Sequence, residues 1–225
     1  MKRLIIFFSA VLLVTGIGCK KDYLDINTNP NSPADASAEL VLPTALKATA
    51  ARQITNYTFI SGWMGYWAIS GSYAISNNDF TTYQQTTTFG NGLWFSIYDN
   101  LEDYNYVEQK GRENGEPFFE AVAKIMKAYE FQQLVDMFGN VPYTDALQGT
   151  SVIQPTYTDA QDIYDSLELN LGVAIDLIKT SPDIARSGDI VFGGDNTSWI
   201  KFANTFTKTV HAWMPLPTQN CLPKK

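Results

Sequence analysis

Apolar side chains recur at steps of three and four residues along most of the chain. Such spacing places them on one face of an α-helix, whereas the sustained two-residue alternation of half-buried strands is absent. The clearest stripe consists of Ala121, Ile125, Ala128, Phe131, Val135 and Phe138. The pattern predicts an all-α protein of about five amphipathic helices, paired antiparallel by short turns.

Turn and capping residues predict where the central helices begin and end. Pro117 suits a first helical turn, and Gly139 is expected to end the same helix. The preceding helix, which carries a second apolar stripe, is predicted to stop at Gly111. Thr158 and Gln161 have the spacing of a capping box, so a third helix is expected to begin there.

Two further helices are predicted on either side of these three. An Ala- and Leu-rich segment from about Glu39 to Tyr57 favours a helix, in which Pro43 is compatible only with the first turn. A last helix is expected to begin after Asn196, Thr197 and Ser198. No sequence repeat of the length of a helix pair is visible.

The amino-terminal residues have the pattern of a lipoprotein signal peptide. Two basic residues precede an apolar run from Leu4 to Val14, and small residues lead to Cys19. The run is 11 residues long, well short of the roughly 20 that a helix needs to cross a bilayer. We expect residues 1–18 to be removed and Cys19 to carry the lipid that anchors the protein to a membrane. An ordinary secretory signal, or a buried amino-terminal helix, is the alternative.

Composition limits the chemistry that the chain can perform. Without the signal peptide, 14 basic residues face 23 acidic ones, and this net charge of −9 argues against nucleic-acid binding. His211 is the only histidine, and Cys221 is the only cysteine besides Cys19. Zinc sites and catalytic triads built on several histidines are therefore disfavoured. No metal or cofactor is predicted.

Paired carboxylates and glycine-rich runs offer no clear catalytic site either. The pair Asp99 and Asp103, at helical spacing, is interpreted as solvated helix surface, since nothing in the sequence singles it out as an acid/base pair. The glycines between Gly188 and Gly194 lack the Lys and Ser/Thr of a phosphate loop, and the neighbouring aspartates are too scattered for a calcium loop. We expect the protein not to be an enzyme.

An aromatic segment is the best candidate for a binding site. Its members are four aromatic residues interleaved with glycines and three polar residues just behind them: Trp63, Tyr66, Trp67, Tyr73, Asn77, Asn78 and Asp79. Flat rings next to amides and carboxylates suit a sugar, whose CH face stacks on a ring while its hydroxyls pair with polar groups. The alternative is that these rings are core or partner contacts.

Several segments together resemble the SusD/RagB family of outer-membrane nutrient-binding lipoproteins from Bacteroidetes. They include the start from Cys19 to Asp25, the run from Asn27 to Asn31, and the stretch from Trp199 to Asn204. The most specific match is the helix end and turn from Leu134 to Tyr143. The resemblance extends nearly end to end, up to about residue 205.

The resemblance implies tetratricopeptide-like helix pairs that act as a lid over a TonB-dependent, SusC-like outer-membrane transporter. The expected ligand is a glycan or an oligopeptide, captured at the cell exterior. Residues 19–38 would be the tether and residues 39–204 the helical domain. Family members are longer, and residues 205–225 depart from their pattern, as in a truncated and out-of-frame product. Two alternatives stay open, a helical docking module without ligand and a non-functional truncated product.

Overall fold

The structure is a computed structural model, and it describes residues 35–55, 58–66, 83 and 86–213. Within these residues it has six α-helices: α1 Ala38–Thr55, α2 Thr58–Trp63, α3 Asn91–Glu113, α4 Pro117–Phe138, α5 Ala160–Thr180 and α6 Asn196–Trp213. The two-residue strands β1 Val141–Pro142 and β2 Tyr157–Thr158 pair antiparallel, and a single 3-10 turn covers Gly149–Ser151. These elements all lie in the compact unit Ser37–Lys225. The predicted all-α class is confirmed.

The core forms where each long helix packs against the next. Helix α1 packs on α3, α3 on α4, α4 on α5, and α5 on α6. The largest fully buried side chains come from all five of these helices: Leu42, Ile97, Leu101, Tyr104, Phe118, Ile125, Leu134, Ile163, Leu167, Leu171, Ile178 and Trp199. No helix in the described part of the chain is both long and apolar enough to cross a membrane.

Helices α3 and α4 are joined by a turn of three residues, and here one sequence prediction is wrong. Helix α3 does not stop at Gly111 but continues to Glu113. A Cβ atom at Gly111 would lie 2.6 Å from the backbone nitrogen of Glu120 on α4. This glycine therefore serves the close approach of two helices instead of a helix end.

Helix α4 has the bounds that the sequence predicts. Pro117 is in its first turn, and Gly139 ends it with a φ of 75°, a conformation that glycine adopts without strain. The prediction for α5 is wrong in its capping residue, because the side chain of Asp159 accepts the hydrogen bond from the Gln161 amide while Thr158 lies in β2. A carboxylate at this position is also stabilised by the positive amino-terminal end of the helix dipole.

Pro43 lies inside α1, not in its first turn as predicted. Proline has no amide hydrogen, so the carbonyl of Glu39 lacks the usual donor four residues on. The loop before α6 passes close to this point, since a Cβ atom at Gly188 would lie 2.5 Å from the Glu39 carbonyl oxygen. The hydroxyl of Ser187 also donates to the Glu39 carboxylate at 2.7 Å.

The loop from Pro182 to Asp195 is built around a buried aspartate. Asp189, 3% exposed, accepts hydrogen bonds from the amides of Val191, Phe192 and Gly194 and from the Trp199 indole nitrogen at 2.7 Å. Its carboxylate is thus fully used by the fold. From this loop α6 continues past residue 205 to Trp213, with Phe206 and Val210 buried. That the tail is out of frame stays a prediction about the gene.

Candidate functional site

Trp63 lies in a cluster of aromatic rings at the end of α2. Its indole is nearly parallel to the rings of Tyr83 and Phe89, at centroid distances of 5.6 and 5.5 Å, and Phe59 meets it edge-on at 4.9 Å. The Tyr83 hydroxyl donates to the Trp63 carbonyl at 3.1 Å. These distances are typical of stabilising aromatic pairs. Part of the Trp63 ring is therefore used for packing.

Two tyrosines near Trp63 are more accessible than Trp63 itself. Tyr66 is 78% exposed and Tyr83 is 63% exposed, whereas Trp63 is half-buried. We call Trp63, Tyr66, Tyr83 and Phe89 the aromatic patch. The sequence had not singled out Tyr83, since it is separated from Trp63 by 20 residues.

The other predicted site residues lie outside the described part of the chain. They are Cys19, Trp67, Tyr73, Asn77, Asn78 and Asp79. Of the seven predicted ligand-binding residues the structure therefore places two, Trp63 and Tyr66, on one short segment. Their role in binding stays a prediction.

A second candidate site is a cavity of about 400 Å³ between α3, α4, α5 and the segment after β1. The main polar groups that line it are Asn105, Glu108, Lys124, Lys127, Tyr143, Thr144, Ser166 and Asn170, and the main apolar ones are Phe131, Leu147 and Leu167. This volume lies in the range of roughly 300 to 1,000 Å³ found for small-molecule sites. We call it the lysine cavity.

The charged wall of the lysine cavity is built on Glu108. One of its carboxylate oxygens accepts from Lys124 at 2.7 Å and from Arg112 at 2.6 Å, and the other accepts from Lys127 at 3.0 Å. Burial raises the pKa of Glu108, but the nearby lysines outweigh that effect and hold the pKa below its ordinary value. The carboxylate is therefore ionised at neutral pH.

Amide and hydroxyl groups form another part of the lining of the lysine cavity. Asn170 on α5 donates to the Tyr143 hydroxyl at 2.9 Å. Asn105 on α3 accepts from Lys127 at 3.0 Å and donates to the Leu147 carbonyl at 3.2 Å. Leu147 has a φ of 61°, unusual for a residue with a side chain. The segment after β1 is thus tied to α3 and α5 on both sides.

The carboxylate pair considered in the sequence lies apart from the lysine cavity. Asp99 and Asp103 lie on one face of α3, and burial together with Asp99 raises the pKa of Asp103, but neither carboxylate lines the lysine cavity. In the residues that the structure describes, no cluster of three or more His, Cys, Asp or Glu side chains is arranged to hold a metal ion.

Sequence reasoning missed the lysine cavity. Lys124 and Lys127 are three residues apart on α4, while Glu108 and Arg112 are four apart on α3. Each pair has the spacing of ordinary helix surface. Two lysines at the edge of the apolar stripe of α4 were a signal in the sequence. That signal does not reveal which side chains of other helices face these lysines.

Comparisons with known proteins follow the fold. No protein of curated function matches the chain at a significant level. The model of the SusD-like_2 family, described as starch-binding and associating with the outer membrane, matches residues 30–211.

Solved structures of low sequence identity share the fold. A SusD homolog from Bacteroides fragilis has 22% identity and a TM-score of 0.59, and covers 78% of this chain with 35% of its own length. A SusD/RagB family protein from Bacteroides thetaiotaomicron has 20% identity and a TM-score of 0.65, with 76% of this chain and 37% of that one covered.

An outer-membrane protein from Bacteroides vulgatus, connected by its description with nutrient binding, has 23% identity and a TM-score of 0.54. It covers 78% of this chain with 35% of its own length. The chain thus spans little more than a third of the solved relatives that it matches. Because the family model covers residues 30–211, well over half of the sequence, the protein belongs to the SusD-like family of the SusD/RagB group.

Proposed function

We propose that this protein captures glycans or other nutrient oligomers at the outer membrane and delivers them to a TonB-dependent, SusC-like transporter. Lipid on Cys19 anchors it, with the binding domain facing the cell exterior. The family match over residues 30–211 supports the association with the outer membrane and the class of ligand. The solved relatives support the fold alone.

The observation that carries this proposal is the accessible part of the aromatic patch. Tyr66 and Tyr83 expose most of their surface next to Trp63. Exposed rings bind the CH faces of sugars and lose little conformational freedom on binding, because each side chain has only two rotatable bonds. A ligand that stacks here needs no catalytic group, in agreement with the binding role of the family.

Affinity electrophoresis on a panel of polysaccharides tests the proposal. We expect at least one glycan to retard the full-length gene product, and the replacements Trp63→Ala and Tyr83→Ala to abolish the retardation. Phe95→Ala is the matched control, because Phe95 is 62% exposed on α3 and makes no contact with Trp63 among the described ring pairs. Absence of retardation on every glycan, together with no binding of oligopeptides, would refute it.

A docking module without ligand is the second candidate function. It is favoured by the packing of Trp63 against Phe59 and Phe89, which gives the ring a structural role. In this case Trp63→Ala weakens assembly with the transporter while the specificity of uptake is unchanged. Co-purification of the transporter, measured beside ligand uptake, separates the two functions.

A further inference from the structure

The lysine cavity carries a positive charge in an acidic protein. The whole chain has a formal charge of −7, yet the charged side chains that line this cavity are Lys124, Lys127 and Glu108. Arg112 also contacts Glu108, and the Glu120 carboxylate lies 3.1 Å from Arg112 and 4.0 Å from Lys124. Three cations thus face two carboxylates, which leaves one positive charge in excess.

Both lysines are confined but incompletely hydrogen-bonded. Their side chains are 14% and 20% exposed, so their ammonium groups are partly shielded from water. In the part of the chain that the structure describes, Lys124 donates only to Glu108, and Lys127 only to Glu108 and Asn105. Since an ammonium carries three hydrogens, each lysine retains a donor. An anion at this wall of the cavity would receive two charge-assisted hydrogen bonds.

The rest of the lining suits hydroxyl groups and one apolar face. Asn105 and Asn170 present amides, and Ser166 and Tyr143 present hydroxyls. Leu147 and Leu167 supply apolar contact. A second cavity, of about 330 Å³, shares Asn105 and Leu147 with the first and continues towards Gln109 and Gln148. Glu102 also lines this second cavity, so its charge differs from that of the lysine cavity, and a hydrogen bond from Asn105 to the Leu147 carbonyl lies where the two meet.

We propose that the lysine cavity binds an acidic sugar, with the carboxylate at Lys124 and Lys127 and the ring hydroxyls at Asn105, Asn170 and Tyr143. The site is distinct from the aromatic patch and goes beyond the proposed function, because it names a second binding place and the charge of its ligand. A neutral sugar would leave the spare lysine donors without a carboxylate, and a simple anion would leave the amides unused.

Isothermal titration of the full chain with sodium galacturonate, galactose and sodium acetate tests the proposal. Galacturonate and galactose differ only in the carboxylate, and acetate provides the carboxylate alone. We expect galacturonate to bind at least about tenfold more tightly than either, and more weakly as the salt concentration rises. Equal affinity for galactose would remove the role of the lysines, and equal affinity for acetate would leave an adventitious anion site only.

Two variants and one control locate the binding. Lys127→Gln is expected to weaken galacturonate binding by about 10- to 100-fold. Ser166→Phe, which fills the cavity without touching the charged wall, should abolish it. Lys179→Gln is the matched control, since Lys179 is 58% exposed and pairs only with Asp176 in the described residues. Unchanged affinity in both Lys127→Gln and Ser166→Phe overturns the proposal.

A measurement on the wild-type chain tests the same site without relying on variants, which could fail to fold. Reductive methylation in the presence of galacturonate should spare Lys124 and Lys127 and leave Lys179 fully modified, as read by peptide mass spectrometry. Equal modification with and without the sugar refutes the site. Affinity electrophoresis of Trp63→Ala tests the aromatic patch separately, because the two sites share no residue. Failure of the lysine cavity to bind the sugar can therefore be told apart from failure of the proposed function.

Discussion

Glutamate and basic side chains form two clusters at α4, one with α1 and one with α3, and the clusters differ in what surrounds them. In the inner cluster Glu130 pairs with Arg52 of α1, and both side chains are at most 3% exposed. In the outer cluster Glu108 contacts Arg112, Lys124 and Lys127, and these side chains are 11% to 57% exposed. The same kind of ion pair is thus present in a dry and in a half-hydrated setting.

The difference changes the sign of the effect on each carboxylate. Burial raises the pKa of Glu130 and outweighs the attraction of Arg52, although Thr49 and Asn100 also donate to it, at 2.5 and 2.8 Å. The pKa of Glu108 is lowered, because several cations act on a less buried group. A buried carboxylate with too few cations around it costs free energy of folding. Cations in excess of the carboxylates that they surround can still attract an anion.

The inner cluster also contains polar atoms without partners. Within the described residues, Oε2 of Glu130, Oδ1 of Asn100 and Nε of Arg52 are buried and make no hydrogen bond. Such atoms cost free energy unless water reaches them. The stability of the inner cluster therefore depends on each hydrogen bond that it makes. The outer cluster depends on them less, because its side chains are partly exposed to water.

Removal of Arg52 should have the largest effect on stability. Arg52→Met leaves Glu130 buried without its cation, so we expect the free energy of unfolding to fall by about 3 to 5 kcal/mol. The matched variant Arg112→Met, which removes a 57% exposed arginine from Glu108, should cost at most about 1 kcal/mol. Urea denaturation of both variants measures the difference. Equal losses would mean that the two clusters do not differ as described.

The approach of α3 to α4 should rank second. Gly111→Ala places a methyl group against the backbone of Glu120, and we expect a loss of about 1 to 3 kcal/mol. The control Gly172→Ala lies in α5, where nothing is within 4 Å of the added carbon. It should stabilise the helix by about 0.5 to 1 kcal/mol. Thermal unfolding tests both, and a stabilising Gly111→Ala would show that the helices have room to separate.

Salt should distinguish the clusters by a smaller amount. The outer cluster is partly hydrated, so its contribution is screened as ionic strength rises, whereas the inner cluster is shielded from ions. The difference in stability between the wild-type chain and Arg112→Met should therefore shrink in 1 M NaCl, and that for Arg52→Met should persist. Chemical denaturation with urea at two salt concentrations measures this, and a parallel decrease in both would argue against a dry inner cluster.

The pH dependence of the two glutamates should have opposite signs. For Glu108 the folded pKa is lowered, so wild type should gain stability over Glu108→Gln as pH rises from that pKa to the ordinary value of 4.5. For Glu130 the folded pKa is raised, so wild type should lose stability relative to Glu130→Gln as pH rises from 4.5 through that pKa. Urea midpoints across this pH range provide the test, and slopes of the same sign would contradict the assignment.

Sequence patterns correctly predicted the structural features that depend only on residues close together along the chain. The bounds of α4 follow from Pro117 and Gly139, because both residues act through their own backbone geometry. The prediction for Gly111 was wrong because the reason for this glycine is the backbone of α4, not the end of α3. Pro43 was also misplaced, and the Glu39 carbonyl, whose usual donor the proline lacks, lies where the loop at Gly188 packs on α1.

The candidate sites divide in the same way. Trp63 and Tyr66 were found from composition and spacing, because an aromatic segment is visible in the sequence itself. Tyr83 and the lysine cavity were not, since both depend on which faces of distant elements meet. The pairing of Glu108 with Lys124 and Lys127 joins residues 16 and 19 positions apart across the turn between α3 and α4.

The sequence by itself thus determined the helical period, the bounds of α4, the family and the aromatic segment, all of which follow from residue type and spacing along the chain. Only the tertiary structure decided which charges are buried, which carboxylate has a raised pKa and where a positively charged cavity lies. The physical reason is that desolvation and Coulomb interaction depend on distances in space. Packing sets those distances, and here a glycine that lets α3 approach α4 helps to set them.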